Sequence, residues 1–247
     1  MATSSETLVR SLPDEKGVSS TPHRRIRQEM QPVPGVPSPQ LLADILAGIA
    51  PPLVPLTTDQ YLAMIDTGIL PERAPIELID GLLIWKDRRD EKETNMTEGS
   101  QHYLVRTLLR DVLDPLVRPH GFHVAIEPPV LLPDSSIPEP DIAILRGRPI
   151  DYRGRIPKAD DAVLVVEVSW SSLQFDRRHK RKRYAAAEVP AYWIVDLTAE
   201  AVEAYSEPGG REPQYGRLET YTPEGRVPLR LPDTEVIEVP VSEFLPQ

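Results

Sequence analysis

Residues 162–168, Ala-Val-Leu-Val-Val-Glu-Val, constrain the fold of this chain more than any other segment. A run of β-branched and aliphatic residues broken only by Glu167, without the polar alternation of a half-exposed strand, suits a central strand buried on both faces. Such a strand needs cover, and the neighbouring segments supply it. A helix starting at Ser171 or Ser172 and running to about Ala187 follows, before residues 192–195 and 201–205 return to strand. Upstream, Leu104, Val105, Leu108, Leu109, Val112, Leu113 and Leu116 make one apolar stripe on a helix expected from about Ser100 to Val117. The polar stretch 86–98 before it reads as a loop. Asp80-Gly81 between the apolar runs 76–79 and 82–85 is a two-residue hairpin signal. Residues 122–126, 130–132 and 141–145 read as further short strands, and Thr57 or Thr58 caps a helix that Gly68 ends. Long helices between strands, with hairpins among them, predict an α/β or α+β fold around a mixed β-sheet flanked by helices.

The ends of the chain differ from its middle. Residues 1–55 read as a Pro/Ser-rich, partly disordered extension, with one short amphipathic helix at 41–49 stopped by Pro51-Pro52. Residues 56–247 are expected to form the folded domain. Its last part, beyond 206, reads as an acidic, β-rich, solvated edge that finishes with a strand and turn at 236–245. The formal charge of -10 argues against a protein that coats nucleic acid nonspecifically, because that affinity needs basic surface. Cysteine is absent, so disulfides and thiolate metal sites are excluded. No run approaches the roughly 18 apolar residues of a membrane span, and the N-terminus has no signal-peptide core, so no membrane association and a cytoplasmic location are expected.

Two acids occupy positions that call for a partner. Glu167 interrupts the most apolar run of the chain, and Asp141 opens another directly after Glu139-Pro140. A buried lone carboxylate is costly unless it is paired or bound to a metal. Two acids at strand ends with a nearby lysine are suited to holding Mg²⁺ against a phosphate. In that reading Asp141 and Glu167 are oxygen ligands, and the backbone carbonyl of Val168 or Ser169 is a third. The same residues permit a structural reading, with Glu167 paired to a basic residue of the next helix and Asp141 capping a turn. On that helix Asp176 and Lys180 are i,i+4, and Tyr184 lies one turn further. The segment 176–183, Asp-Arg-Arg-His-Lys-Arg-Lys-Arg, holds six basic side chains against one acid. A helix cannot turn all six inward. Lys180 is expected to face the sheet, leaving Arg177, Arg178, Arg181 and Lys182 as candidate contacts to nucleic-acid phosphates.

Glu77-Leu-Ile-Asp-Gly81, His102, Glu139-Pro-Asp-Ile-Ala143, Val165-Val-Glu-Val-Ser169, Ser171-Ser-Leu, Asp176 with Lys180, Tyr184-Ala185 and Val189-Pro-Ala-Tyr-Trp-Ile-Val-Asp196 together resemble the Uma2 family. That group is labelled putative restriction endonucleases within the PD-(D/E)XK nuclease superfamily, and the resemblance spans residues 57–205. It implies a restriction endonuclease-like core and metal-dependent hydrolysis of DNA phosphodiester bonds, with Mg²⁺ or Mn²⁺ as cofactor. Asp141 then corresponds to the motif Asp and Glu167 to the motif acid. Ser169 stands where the superfamily signature has lysine, and Lys180 from the following helix would supply that lysine instead. Glu77 would be an additional acid approaching the metal, beside Asp141, Glu167 and the Val168 carbonyl. His102 would help position a phosphate or a water, with Asp176 and Tyr184 as accessory residues. Trp170, Glu188 and Ala191 depart from the family pattern without removing a ligand. Trp170 would narrow the site, stack on a base, or simply pack. A homodimer is expected for an enzyme that cuts both strands. The alternatives are a noncatalytic nucleic-acid-binding or assembly protein that keeps the nuclease fold, and a small phosphate-ester hydrolase.

Overall fold

The chain divides into two units, Met1–Leu53 and Val54–Gln247, and the computed structural model describes residues 39–71, 74–86, 96–211 and 213–245. In the first unit, helix α1 (Pro39–Leu46) ends before Pro51-Pro52, with Gln40 donating to Asp44 one turn on (2.8 Å). Residues 1–38, most of the expected extension, lie outside the described residues.

The second unit opens on α2 (Thr58–Asp66), closed by a reciprocal cap. The Thr57 hydroxyl accepts from the Gln60 N–H (3.2 Å), and the Gln60 side chain accepts from the Thr57 N–H (2.9 Å). Strands β1 (Ile76–Ile79) and β2 (Leu82–Trp85) then pair antiparallel across Asp80 and Gly81. Both turn residues have positive φ, 53° and 73°, as a type I′ hairpin requires. Gly81 is needed twice over, since a Cβ there would lie 2.4 Å from that of Pro55. Helix α3 (Met96–Val117) begins inside the stretch read as a loop, of which 87–95 lie outside the described residues. Val105, Leu109, Leu113 and Val117 form its buried line, whereas Leu104 is 46% exposed. Leu108, Val112 and Leu116 pack beside that line, so the predicted stripe holds except at Leu104, with Val117 added.

Strands β3 (Phe122–Ile126), β4 (Ile142–Arg146) and β5 (Ala162–Ser169) are followed by a helical segment in three parts. These are α4 (Leu173–Phe175), a π-helical turn (Asp176–Lys180) and α5 (Arg181–Ala186). Strands β6 (Ala191–Asp196), β7 (Ala201–Gly209) and β8 (Gln214–Tyr221) complete a six-stranded sheet ordered as in the chain. Only β5 and β6 run parallel; every other neighbour is antiparallel. The helical segment is the crossover that a parallel pair demands. All eight residues of β5 are buried, including Glu167 and Ser169. Residues 130–132 form isolated bridges, Leu131 to Lys158 and Leu132 to Ser136, rather than the expected strand.

Successive side chains of each strand point to opposite faces and feed two cores. One holds α3 against Ile142, Ile144, Val166, Val168, Trp193 and Val195. The other holds Tyr184 and Ala185 of α5 against Ala143, Val165, Tyr192 and Ile194. The C-terminal segment, read from its acidity as a solvated edge, contributes to the first core. Strands β9 (Arg226–Leu229) and β10 (Ile237–Pro240) pair with each other, and Val227, Leu229, Val239, Val241 and Phe244 are buried with α3. Its charges lie between these apolar positions, so composition alone concealed the buried line.

Candidate active site

Strand register brings the two acids together. The antiparallel pairs Ala143–Val165 and Ile142–Val166 place Asp141, one residue before β4, opposite Glu167 at the end of the sheet. The Asp141 Oδ2 accepts the N–H of Val168 (2.8 Å) and lies 3.2 Å from Nε2 of His102 on α3. Burial opposes the Asp141 charge, but the His102 contact and the Val168 N–H outweigh it and hold this carboxyl below the usual Asp range. Burial likewise opposes the His102 cation, yet Asp141 raises the imidazole above its ordinary value.

The π-helical turn sends both Asp176 and Lys180 into the protein, where they are 2% and 6% exposed. π-turns widen a helix locally and recur at functional sites. Lys180 Nζ donates to Oε1 of Glu167 and to Oε1 of Glu77, each at 3.0 Å. Tyr184, the next residue on that face, donates its hydroxyl to the same Glu167 oxygen (3.1 Å). Burial works against the Lys180 ammonium, but Glu167, Glu77 and Asp176 outweigh it, so its pKa stands well above that of an ordinary lysine. Glu167 is displaced upward by burial, and the charges of Asp176, Asp141 and Glu77 add to this against Lys180. Asp176 accepts from Ser169 (2.7 Å) and Ser172 (2.6 Å), and burial raises its pKa nonetheless. Ser172, one of the two residues at which the helix was expected to start, stands just before α4; its hydroxyl turns to Asp176 and makes no cap hydrogen bond.

Glu77 and Glu167 thus flank one ammonium, with Asp176 buried nearby on the serines and Asp141 paired with His102 at the rim. The Uma2 profile, described as putative restriction endonuclease, matches residues 59–241. The chain belongs to the Uma2 family. Its fold is that of a crystal structure described as a putative nuclease belonging to DUF820 from Anabaena variabilis. The two are 17% identical, with a TM-score of 0.55, covering 77% of this chain and 98% of that one. No curated protein matches the sequence.

The donor chemistry of this Uma2 site suits a hard divalent cation, since its acids offer only oxygen, and a cation would relieve the burial and acidic neighbours that push Glu167 upward. Among the described residues no three His, Asp or Glu side chains converge on one point. A ligand set here would therefore rest on Asp141 and Glu167, completed by a backbone carbonyl and water. Glu77, expected from the resemblance as a ligand, has its Oε1 engaged by Lys180 and by the Glu139 N–H (2.9 Å).

The basic segment is divided in its uses. Arg177, expected to meet phosphate, pairs with Asp196 (2.9 Å) and Glu203. Arg183 meets Asp80 (2.9 Å) and Asp134 (3.0 Å). Arg181 is half-buried, its guanidinium 5.4 Å from the ring centre of Tyr205. Arg178 and Lys182 are exposed, and Trp170 packs against the first core. Sequence reasoning assigned no task to the hydroxyls of Ser169 and Ser172 or to the Glu139 amide. The Glu-Pro-Asp motif was the signal available for the last, but a backbone donor leaves no mark in a residue pattern.

Proposed function

We propose that this chain is a metal-dependent endonuclease that hydrolyses phosphodiester bonds of DNA. The observation that carries the reading is the seating of Lys180: an ammonium supplied by the crossover helix sits on Glu167, which strand register sets opposite Asp141. Asp141 and Glu167, with the Val168 carbonyl, would hold Mg²⁺ or Mn²⁺, which when bound supplies Lewis-acid polarisation of a phosphate oxygen and a more acidic water. Lys180 orients the attacking water or neutralises charge developing on the phosphate oxygens. His102 steadies Asp141 from the rim, and Tyr184 holds Glu167 from beneath. Arg178 and Lys182, exposed and beside Lys180 in the chain, meet the DNA backbone. A homodimer would supply a site for each strand of a duplex.

Purified protein is expected to cleave DNA with Mg²⁺ or Mn²⁺ and to stop on chelation; no cleavage of varied DNA, with metal binding intact, would instead support a binding protein that keeps the fold. Lys182→Ala is expected to weaken affinity and to lower the slope of log K against log salt by about 0.9 if it contacts one phosphate, while sparing the single-turnover rate at saturating protein. An unchanged salt slope would remove Lys182 from the interface.

A further inference from the structure

The β1–β2 hairpin forms its own two-stranded sheet, outside the six-stranded one, yet it carries a side chain into the centre of the site. On one side it grips the segment that delivers Asp141. The Leu78 carbonyl accepts from the N–H of Ile137 (2.7 Å), the Asp80 N–H donates to the Ser136 hydroxyl (3.0 Å), and the Gly81 N–H donates to the Ser135 carbonyl (3.1 Å). On the other side it holds the crossover helix through Lys180 on Glu77 and Arg183 on Asp80. Glu77, 1% exposed, belongs to both grips. Its Oε1 accepts from the Glu139 N–H, two residues before Asp141, and from Lys180 Nζ. One oxygen therefore fixes the separation between the backbone that carries Asp141 and the ammonium that lies on Glu167.

The geometry points to Glu77 as a positioning residue that sets Lys180 and the Glu139-Pro140-Asp141 segment in register with Glu167, rather than as a metal ligand. The inference deepens the nuclease reading and rests on it for its catalytic consequence. An Oε1 that receives two N–H donors has its lone pairs committed. The Glu167 Oε1 is engaged as well, by Lys180 and Tyr184, but both of its donors are side chains that can turn away, whereas the Glu77 oxygen is also held by a backbone N–H of the segment that delivers Asp141. Partners that orient a reacting group typically cost about 10- to 100-fold in activity when altered.

The test uses the full chain and the variants Glu77→Gln, Lys180→Met and their double. Gln retains an acceptor oxygen of the same shape and loses the charge. In Mn²⁺ titration calorimetry, Glu77→Gln should stay near wild type while Glu167→Gln loses binding; a loss in Glu77→Gln as large as that in Glu167→Gln overturns the proposal. In single-turnover cleavage at saturating protein, Glu77→Gln should slow the chemical step about 10- to 100-fold without changing DNA affinity. Adding it to Lys180→Met should slow the step no further; independent, multiplying losses overturn the proposal. Should the wild type neither cleave nor bind Mn²⁺, the nuclease reading fails, and denaturant unfolding still decides the pairing. The double variant should then lose clearly less stability than the two single losses combined, whereas additive losses show that Glu77 does not act through Lys180.

Discussion

Glu167→Gln is expected to abolish cleavage while leaving the fold and DNA affinity in place. Gln keeps an oxygen where Glu167 now accepts from Lys180 and Tyr184, so the local hydrogen bonds survive. What it removes is one of the two charged ligands of the proposed metal site. At several kcal/mol for that charge, the rate should fall by roughly a thousandfold or more. The exposed Arg178 and Lys182, the proposed contacts to the DNA backbone, are untouched, so affinity should be preserved. Stability carries a second signature. Glu167 is raised by burial and by its acidic neighbours, so the folded state holds its proton to higher pH than the unfolded chain does. Its ionisation therefore costs stability as pH rises from the ordinary Glu value, about 4.3, through the raised one. Glu167→Gln lacks that component, and its unfolding free energy should decline less over this window. Single-turnover cleavage and denaturant titrations across pH measure the two effects. A wild-type rate in the variant would refute the site.

Legibility in the sequence followed the range of the interactions involved. The buried strand, the Asp-Gly hairpin and the stripe on α3 were readable because each is set within one segment, by burial, turn dihedrals or helical period. Glu167 was conspicuous because its seven strand neighbours in β5 left no reason for a carboxylate. Its partners were not fixed by the same means. Lys180 meets Glu77 across 103 positions of chain, and only the hairpin's attachment to residues 135–139 brings them together. The basic segment shows the same limit. Arg177 and Arg178 are indistinguishable by composition, yet one is consumed by Glu203 and Asp196 while the other reaches solvent, because β6 and β7 lie against only one side of that turn. The family resemblance supplied the order of motifs and hence the identity of the lysine. It did not indicate that Glu77 would turn toward that lysine.

Lys180→Ala is expected to cost both stability and rate, and the two losses are separable. The ammonium lies between Glu77 and Glu167 with little solvent access, and Asp176 adds to the negative charge around it. Removing one partner of a buried ionic group leaves the others uncompensated, at about 3–5 kcal/mol. The raised pKa sets the pH range of that deficit. A base whose folded pKa exceeds its unfolded value contributes its full stabilisation below the unfolded pKa, about 10.4 for lysine, and loses it only as pH climbs through the folded value. The variant should therefore trail the wild type at every pH from the carboxylate range to beyond 10, with convergence only in strong alkali. Denaturant titration at several pH values measures this, and equal stability at pH 7 would show that the buried pairs contribute nothing. For catalysis, the side chain that replaces the signature lysine on β5 is Ser169, whose hydroxyl is committed to Asp176 and carries no charge. No other ammonium rests on Glu167 among the described residues, so the rate should stay low even at a temperature where Lys180→Ala is fully folded. Lys180→Arg discriminates further: it restores a cation, but a planar guanidinium cannot occupy the position of a compact ammonium 3.0 Å from both Glu77 and Glu167. It should recover part of the stability and little of the rate, whereas full recovery of cleavage would mean that positive charge alone, and not the seating of Lys180, is what the chemistry requires.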